Sequence, residues 1–406
     1  MKHPTHVKNC IELLERSGYS AYAVGGAVRD SLLSKTPSDW DVTTSATPNE
    51  ILSVFSDFRT IPTGIKHGTI TVLFDEDNIR YPVEITTFRV DGEYKDSRHP
   101  ESVSFSKSIG DDLSRRDFTV NAMAYNESDG IIDLFGGTTD LENKIIRAVG
   151  DPEKRFCEDA LRILRAFRFA AQLEFEIEEK TLEGAIKCAP LLKNIARERI
   201  SAELKRLLAS SGALYSLQKI IDGGIWNEIF EISPPKYEQI CAINLVPNGN
   251  FATRLAILLA NYTECEQEQT LNSLRLSNDE KKVVLRLCKV KNFKIQSENY
   301  SKWARHFLHL YDNICADALD VYSVWAEKEK FDAFKSIVWA ERMQKRPLRV
   351  SDLAIKGDDL LPLCQDNRVL VGKTLNSLLS LVIDAPEFNE KSILIDKAKE
   401  IIKEFK

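Results

Sequence analysis

The stretch SDWDVTT, residues 38–44, places Asp39 and Asp41 on either side of a tryptophan and directly before a β-branched run. Such runs are typical of strands, and residues i and i+2 of a strand point to the same face of a sheet. The two carboxylates are therefore expected to stand side by side and to repel each other. Because folding gains nothing from that repulsion, the pair predicts a site for a positive group between them.

The composition is that of an ordinary globular protein. Of 406 residues, 43% are hydrophobic and 29% are charged, which leaves room for about two to four domains. No apolar run reaches the ~18 residues of a membrane span, and the N-terminal stretch predicts an amphipathic helix rather than a secretion signal. Eight scattered cysteines without a C-x-x-C pair indicate neither a disulfide framework nor a zinc site, so a reducing cytoplasm is the expected location. A net charge of −6 argues mildly against a nucleic-acid binder, although net charge hides local patches.

The pattern of secondary structure changes near Asp151. Before it, YSAYAVGG predicts a strand ending at Gly25–Gly26, and AVRDSLLSK predicts the helix that follows. GTITVLF and RYPVEITTF flank the turn DEDN and predict a hairpin. After it, glycine becomes rare, and the remainder has helical periodicity, with prolines in ISPPKYEQ and KRPLRVSD predicting joints. We therefore expect an α+β fold, with a small head of mixed β-sheet and helices followed by an all-helical neck, body and tail.

Glu84 adds a third carboxylate to the candidate site. Tyr81, Val83 and Ile85 alternate to one face of the predicted hairpin, so Glu84 points to the other face. A solvent-facing residue is the simpler interpretation. If the hairpin pairs beside the strand of Asp39 and Asp41, however, the three carboxylates suit Mg²⁺, which binds a few carboxylates together with substrate phosphates.

Two further features suit the binding of a nucleoside triphosphate. The Gly25–Gly26 turn before a helix lets backbone amides approach an anion, although it also makes an ordinary turn. In RRDFTVNAMAY, Arg115 and Arg116 can donate to phosphate oxygens, although a surface ion-pair cluster is the alternative. Together with the carboxylates, these features predict nucleotidyl transfer.

These stretches resemble the ordered signatures of the class II tRNA nucleotidyltransferases, the CCA-adding enzymes, and of their relatives the bacterial poly(A) polymerases. The matching stretches are, in chain order, GGAVRD with SDWDVTT, RRDFTVNAMAY, IDLFGG, EDALRILRAFRF and ARERISAELKRLL. The C-terminal LRVSDLAIKGDDLL and APEFNEKSILIDKAKEII are also similar to the tail of the Firmicute-type group. The resemblance spans most of the chain.

The resemblance implies template-independent addition of C, C and A to the 3′ end of tRNA from CTP and ATP, by two-metal transfer with Mg²⁺. It implies a catalytic head at 1–150, a neck at 151–215, a body at 216–340 and a tRNA-binding tail at 341–406. It is compatible with a monomer or a homodimer and with no membrane partner.

The resemblance also implies roles for individual residues. Asp39 and Asp41 would bind the metal, and Glu84 would be a further catalytic carboxylate. The nucleotide contacts that it implies are Gly26, Arg29, Arg116, Asp159, Arg162, Arg165 and Arg168.

The neck residues also have an interpretation without ligand. Asp159, Arg162, Arg165 and Arg168 recur every three residues and form a spiral stripe on a helix. By themselves they predict a solvated charged stripe opposite a core of Leu161, Leu164 and Phe167. Beside a nucleotidyltransferase head, Asp159 and Arg162 become a candidate base reader.

Several activities compete within the family. A poly(A) polymerase is disfavoured because the chain ends in the mixed-charge DKAKEIIKEFK rather than a basic extension. A CC-adding enzyme is disfavoured because RVDGEYKDSRHPESVSF, residues 89–105, matches the flexible loop that such enzymes lack. An A-adding enzyme stays open, and the absence of a His-Asp doublet argues against a second, hydrolytic activity. A catalytically inactive RNA-binding module or a protein-interaction scaffold is a further alternative, which the intact Asp39 and Asp41 disfavour.

Overall fold

The computed structural model describes residues 1, 3–76, 79–92, 103–246, 249–296 and 299–405. It divides into two compact units, Met1–Pro234 with Asn272–Arg275 and Pro235–Leu271 with Leu276–Lys406. The main division falls within the proline-containing ISPPKYEQ stretch. The finer division into head, neck, body and tail stays a prediction.

The first unit begins with the mixed sheet and helices that the sequence predicts. The strands of this unit are β1 (Ala21–Val24), β2 (Asp41–Thr44), β3 (Arg59–Ile61), β4 (Thr69–Glu76), β5 (Ile79–Thr87), β6 (Arg89–Asp91), β7 (Val103–Phe105), β8 (Met123–Asn126), β9 (Gly130–Asp133), β10 (Ile145–Ile146) and β11 (Glu176–Ile177). Its helices are α1 (Thr5–Arg16), α2 (Gly26–Leu32), α3 (Pro48–Val54), α4 (Ile109–Ser114), α5 (Gly137–Glu142), α6 (Pro152–Glu158), α7 (Leu161–Leu173), α8 (Glu179–Cys188), α9 (Arg197–Leu208), α10 (Ala213–Asp222) and α11 (Trp226–Ile229).

Within the described residues, seven strands form one sheet in the order β3-β4-β5-β2-β1-β8-β9. β2 and β5 run parallel, whereas the other neighbours are antiparallel. β4 and β5 form the predicted hairpin, and the turn between them falls on residues 77–78, outside the described residues. Val83 and Ile85 are fully buried while Glu84 is exposed, so the predicted alternation along β5 is confirmed.

Strand β2 begins at Asp41, two residues later than the sequence predicts. Asp39 lies before the strand in an exposed segment, where its Oδ2 accepts a hydrogen bond from Ser38 Oγ at 3.0 Å. The predicted strand is therefore two residues too long at its start, and strand pleating alone does not position Asp39. The two carboxylates are nevertheless close enough for the charge of Asp39 to raise the pKa of Asp41. Val42 and Thr43 are fully buried because β2 is a central strand, flanked by β1 and β5.

Helix α7 begins the helical part of the chain. Leu161, Leu164 and Phe167 are buried along it, as the periodicity predicts. The two short strands β10 and β11, which precede α6 and follow α7, pair in parallel. The α+β fold class is confirmed.

Within its described residues, the second unit contains helices and no strand. Its helices are α12 (Tyr237–Ala242), α13 (Phe251–Leu259), α14 (Glu264–Ser273), α15 (Asn278–Lys289), α16 (Tyr300–Tyr311), α17 (Cys315–Trp325), α18 (Lys328–Met343), α19 (Gly357–Leu360), α20 (Arg368–Asp384) and α21 (Lys391–Glu404). Leu360, Leu378 and Leu394, from the last three helices, share one fully buried core. In the part of the chain that the structure describes, no helix has both the length and the apolar character that a membrane crossing requires.

Candidate active site

The parallel pairing of β2 with β5 brings two candidate carboxylates together. Asp41 stands opposite Glu84 in the register, so both side chains project from neighbouring strands beside each other. The pKa of Asp41 is raised, first by partial withdrawal of its carboxyl from water and then by the negative charges of Glu84 and Asp39. The positive charge of Arg116 lowers this pKa. Asp39, Asp41 and Glu84, which are all exposed residues, therefore form one electronegative site beside a guanidinium.

The donor set of this site suits a hard divalent cation. Within the described residues, no three His, Cys, Asp or Glu side chains are already arranged to hold a metal ion. Mg²⁺ usually takes one or two carboxylates and completes its shell with water and substrate phosphates. Asp41, with Asp39 and Glu84 as its charged neighbours, fits that mode of binding rather than a closed, all-protein cage.

A buried carboxylate, Asp112 of α4, holds the two arginines of RRDFTVNAMAY. Its Oδ1 accepts from Arg115 Nε at 3.0 Å and from Arg115 Nη2 at 2.6 Å. Its Oδ2 accepts from Arg116 Nη2 at 3.1 Å and from Thr43 Oγ1 at 3.3 Å. Burial alone would raise the pKa of Asp112, but the two guanidinium groups lower it below its ordinary value. The predicted alternative of a surface ion-pair cluster is thus half right, because the pairs exist but their shared carboxylate is fully buried.

Arg116 is directed towards the carboxylate site by this arrangement. Thr43 lies two residues after Asp41 on β2, so Asp112 ties the Arg116 guanidinium to the strand that carries Asp41. Arg116 Nε has no acceptor in the described part of the chain, which leaves one donor of the guanidinium unused. The guanidinium is therefore held in place while one of its donors remains unpaired.

The Gly-Gly turn at the end of β1 makes room for Arg116. Gly25 has a φ of 74°, in the left-handed region that favours glycine. A Cβ on Gly25 would lie 3.0 Å from Arg116 Nη1, whereas one on Gly26 would meet Arg29 Nη2 at an ordinary 3.6 Å. The Gly25 N–H already donates to the Met123 carbonyl at 3.2 Å. The close approach is therefore made at Gly25, one residue before Gly26, which is predicted to contact the nucleotide. Gly25 approaches the side chain of Arg116.

Arg29 and Arg165 belong to one buried network. Arg29 Nη1 donates to Asn121 Oδ1 at 2.6 Å, and Asn121 Nδ2 donates to Asp117 Oδ1 at 3.1 Å. Arg165 Nε donates to Asp117 Oδ2 at 2.8 Å. Burial alone would raise the pKa of Asp117, but Arg165 and Asn121 lower it to about 2. The network thus connects α2 of the sheet region to α7 of the helical region.

Phe169 collects three of the predicted nucleotide-binding arginines around its ring. The guanidinium carbons of Arg29, Arg165 and Arg168 lie 5.1, 5.3 and 3.8 Å from the ring centroid. Arg168 is 5% exposed and donates from Nε to Glu203 Oε2 of α9. Burial lowers the pKa of Arg168, against the charge of Glu203. These contacts contradict the solvated charged stripe, because all three of its arginines, Arg162, Arg165 and Arg168, have carboxylate partners and Arg168 is buried.

Asp159 lies outside helix α7. It is the C-terminal cap of α6, so the spiral stripe on the helix consists of arginines alone, and this part of the prediction is wrong. Asp159 Oδ1 accepts from the Leu161 N–H at 3.0 Å, and Oδ2 accepts from Arg199 Nη2 at 3.0 Å. Each carboxylate oxygen has a second acceptor position, so Asp159 keeps the capacity to accept from a ligand.

Arg162 is held one turn further along the chain. Its Nη1 donates to Glu158 Oε2 at 2.9 Å and to the Arg155 carbonyl at 3.3 Å. Its Nη2 donates to the Arg115 carbonyl at 3.1 Å. Arg162 therefore links the α6–α7 junction to the segment that carries the two arginines of RRDFTVNAMAY.

The site also contains residues that the sequence analysis did not single out. Asp112 precedes Arg115 and Arg116 by three and four residues, a spacing that puts ion-pair partners on one helix face, so this signal was available. Asn121 precedes β8, Phe169 lies on α7, and Arg199 and Glu203 both lie on α9. No local pattern points to the pairing of these three segments.

Known protein families, curated relatives and solved structures match most of this chain. The "Poly A polymerase head domain" family model matches residues 21–147, and the "Probable RNA and SrmB- binding site of polymerase A" model matches residues 174–236. The chain is similar to the CCA-adding enzyme of Enterococcus faecalis, with 35% identity over 401 residues that cover 96% of this chain and 94% of the relative. It is 47% identical over 216 residues to the CCA-adding enzyme of Levilactobacillus brevis, covering 53% of each protein. The crystal structure of Bacillus stearothermophilus CCA-adding enzyme in complex with CTP matches with a TM-score of 0.82, 28% identity and full coverage, 100%, of both chains.

Proposed function

Because this chain belongs to the family of CCA-adding enzymes, we propose that it adds C, C and A to the 3′ end of tRNA, using CTP and ATP and no nucleic-acid template. The observation that carries the proposal is the parallel pairing of Asp41 with Glu84, within the electrostatic reach of Asp39 and Arg116. Nucleotidyl transfer needs metal-binding carboxylates and a fixed cation in one place, since the triphosphate is negative and the leaving pyrophosphate gains charge.

Asp39, Asp41 and Glu84 are the residues that would hold Mg²⁺, with two ions as the expected number. When bound, the metal would supply stabilisation of the negative charge that develops on the transferred phosphoryl group. Arg116, restrained by Asp112, would neutralise triphosphate oxygens next to these carboxylates. The Arg116 guanidinium is suited to this because a preorganised donor costs no rearrangement during the reaction.

Asp159 and Arg162 would read the base. Cytosine and adenine present an amino donor beside a ring-nitrogen acceptor, whereas guanine and uracil present a carbonyl beside an N–H. An ionised carboxylate only accepts hydrogen bonds and a guanidinium only donates, so this pair matches C and A and mismatches G and U. Each mismatch costs roughly 1–3 kcal/mol, so two of them cost about 2–6 kcal/mol, a range that includes the ~3 kcal/mol of a hundredfold preference.

The same pair serves both correct bases, so something else must choose C or A at each step. The segment 89–105 is our candidate for the switch, as the family resemblance suggests. Its two ends pair as β6 and β7 with Arg89 opposite Phe105, and residues 93–102 lie outside the described residues. The role of this segment stays a prediction, as do the oligomeric state and the four-part domain division.

The test supplies tRNA transcripts that end before, within and after CCA with each nucleotide alone and in combination, and it reads product lengths on a gel. We expect two additions from CTP alone on the shortest transcript, a third when ATP is added, and none on a transcript that already ends in CCA. Asp39→Asn serves as the matched control: it should bind tRNA without extending it.

Each rival activity gives a different product. Products that stop at CC in the presence of ATP identify a CC-adding enzyme, and extension only of CC-ending transcripts identifies an A-adding enzyme. Long adenylate tails identify a poly(A) polymerase. Binding without extension by the unmodified protein would refute the proposed activity and leave an RNA-binding module.

A further inference from the structure

Two cysteines lie next to each other at the junction of α6 and α8. Cys157 Sγ, near the end of α6, is 3.9 Å from Cys188 Sγ, the last residue of α8. Cys157 is exposed, whereas Cys188 is 6% exposed. Burial, and then the neighbouring thiol, raise the pKa of Cys188, so it stays protonated at neutral pH. The exposed thiol of Cys157 therefore lies next to the buried thiol of Cys188.

The close packing of the two helices holds the thiols together. A Cβ added to Gly184 of α8 would lie 2.9 Å from Pro152 Cβ of α6, so the absence of a side chain allows the close approach. Lys187 Nζ donates to Glu153 Oε2 at 2.6 Å across the same interface. Cys188 Sγ also lies 3.8 Å from the Glu153 carbonyl oxygen. The proximity of the sulfurs therefore rests on contacts along the whole interface, not on one side-chain rotamer.

We propose that Cys157 and Cys188 are a peroxide-sensitive thiol pair that closes reversibly to an intramolecular disulfide and thereby weakens nucleotide binding at Arg162. The exposed Cys157 attacks hydrogen peroxide, its O–O bond breaks, water leaves, and Cys157 becomes a sulfenic acid. The Cys188 sulfur then attacks the Cys157 sulfur, the S–O bond breaks, and a second water carries away the thiol proton. Two thiols lose two electrons, and one peroxide is reduced to two waters.

The link to Arg162 rests on the proposed function and on the position of Glu158. To form the bond, the sulfurs must approach from 3.9 Å to about 2.05 Å. Glu158 follows Cys157 directly, and its carboxylate holds Arg162 Nη1 at 2.9 Å and Arg155 Nη1 at 2.7 Å. Movement of the end of α6 towards α8 displaces this carboxylate and with it the Arg162 guanidinium.

The experiment treats the full chain with hydrogen peroxide and measures its intact mass, its free thiols and its non-reducing peptide map. We expect the protein to lose the mass of two hydrogen atoms and two of its eight thiols. We expect a linked peptide that contains both cysteines, and dithiothreitol should reverse all three changes. Cys188→Ser should instead trap a sulfenic acid at Cys157. Cys265→Ser, which removes another exposed thiol, should still form the pair.

A second measurement compares CTP binding to the oxidised and the reduced protein. We expect a several-fold higher Kd after oxidation, restored by dithiothreitol and absent in Cys188→Ser. Oxidation of Cys157 to the sulfinic acid while the Cys188 thiol stays free would overturn the thiol pair. Equal CTP affinity of the cross-linked and reduced forms would overturn its link to Arg162. Failure of the reduced, unmodified protein to bind CTP would instead count against the proposed function.

Discussion

Replacing Asp112 by Asn tests whether a buried carboxylate positions Arg116. The substitution keeps the size of the side chain and removes the negative charge that Arg115 and Arg116 share. Arg116 is then free to move towards Asp41, whose field already attracts it. We expect lower stability, together with a higher KM for the nucleotide and a higher half-saturating Mg²⁺ concentration, because Arg116 would compete for the metal carboxylates.

The expected loss in the free energy of unfolding follows from the contacts of Asp112. Asp112 is fully buried, and the side chains of Arg115 and Arg116 are 17% and 19% exposed. Removing one partner of a fully buried ion pair costs about 3–5 kcal/mol. Asn can still accept one or two of the four hydrogen bonds, and water reaches both guanidinium groups in part. We therefore expect Asp112→Asn to lower the free energy of unfolding by about 3 kcal/mol.

The assay is denaturant unfolding combined with steady-state kinetics at varied Mg²⁺, with direct Mn²⁺ binding as a readout independent of turnover. Asp111→Asn is the matched control on the same helix. Asp111 is only half-buried and accepts a hydrogen bond from Ser106 Oγ at 2.5 Å, so its replacement should cost about 1 kcal/mol. If Asp112→Asn lowers the free energy of unfolding no more than Asp111→Asn and leaves metal affinity unchanged, Asp112 does not position Arg116.

Four further substitutions test other parts of the structure. Asp41→Asn should abolish transfer while tRNA binding persists, and near-normal turnover with Mg²⁺ would contradict the metal assignment. Asp159→Ala should lower the CTP-over-UTP ratio of kcat/KM about tenfold or more; an unchanged ratio in an active variant would remove the base-reading role. The pKa of Asp117 is lowered from 3.8 to about 2. The ionised carboxylate therefore adds to the free energy of unfolding above pH 4, and this stabilisation is lost as the pH falls to 2. Asp117→Asn should therefore lower the free energy of unfolding by about 2 kcal/mol at neutral pH and weaken its dependence on pH below pH 4. An unchanged pH dependence in this range would contradict the assignment. A Cβ on Gly137 would lie 2.3 Å from the Thr119 carbonyl oxygen, so Gly137→Ala should cost about 3 kcal/mol. The control Gly372→Ala, a helical position with open space, should instead be neutral or gain up to ~1 kcal/mol in the same unfolding assay.

Local patterns in the sequence are enough to predict the hairpin and the helical core. Val83 and Ile85 are buried and Glu84 is exposed because side chains of a strand alternate strictly between two faces. Leu161 and Leu164 are buried on α7 because the helical repeat places them on one side. The ordered motifs likewise identify the family, since they lie in short contiguous stretches whose spacing is visible without a structure.

Boundaries and partners were less predictable. Asp39 and Asp41 lie in one β-prone stretch, yet the strand begins only at Asp41, where pairing with β1 and β5 starts. Asp159 has the spacing of a helical residue but caps α6 instead. A three-residue spacing specifies a helix face only if a helix is present, and the sequence does not show that one helix ends and another begins there.

Local patterns along the chain are sufficient to infer the residue types of this site, the alternation of β5 and the helical character after Asp151. The positions of Glu84 beside Asp41, of Asp112 beneath Arg116 and of Cys157 beside Cys188 arise only from the packing of the folded chain. The reason is physical. Alternation and helical periodicity arise between residues a few positions apart, whereas strand pairing and helix packing join segments that are distant in the chain. Which distant segments meet depends on how the whole apolar surface is buried, and no local pattern contains that information.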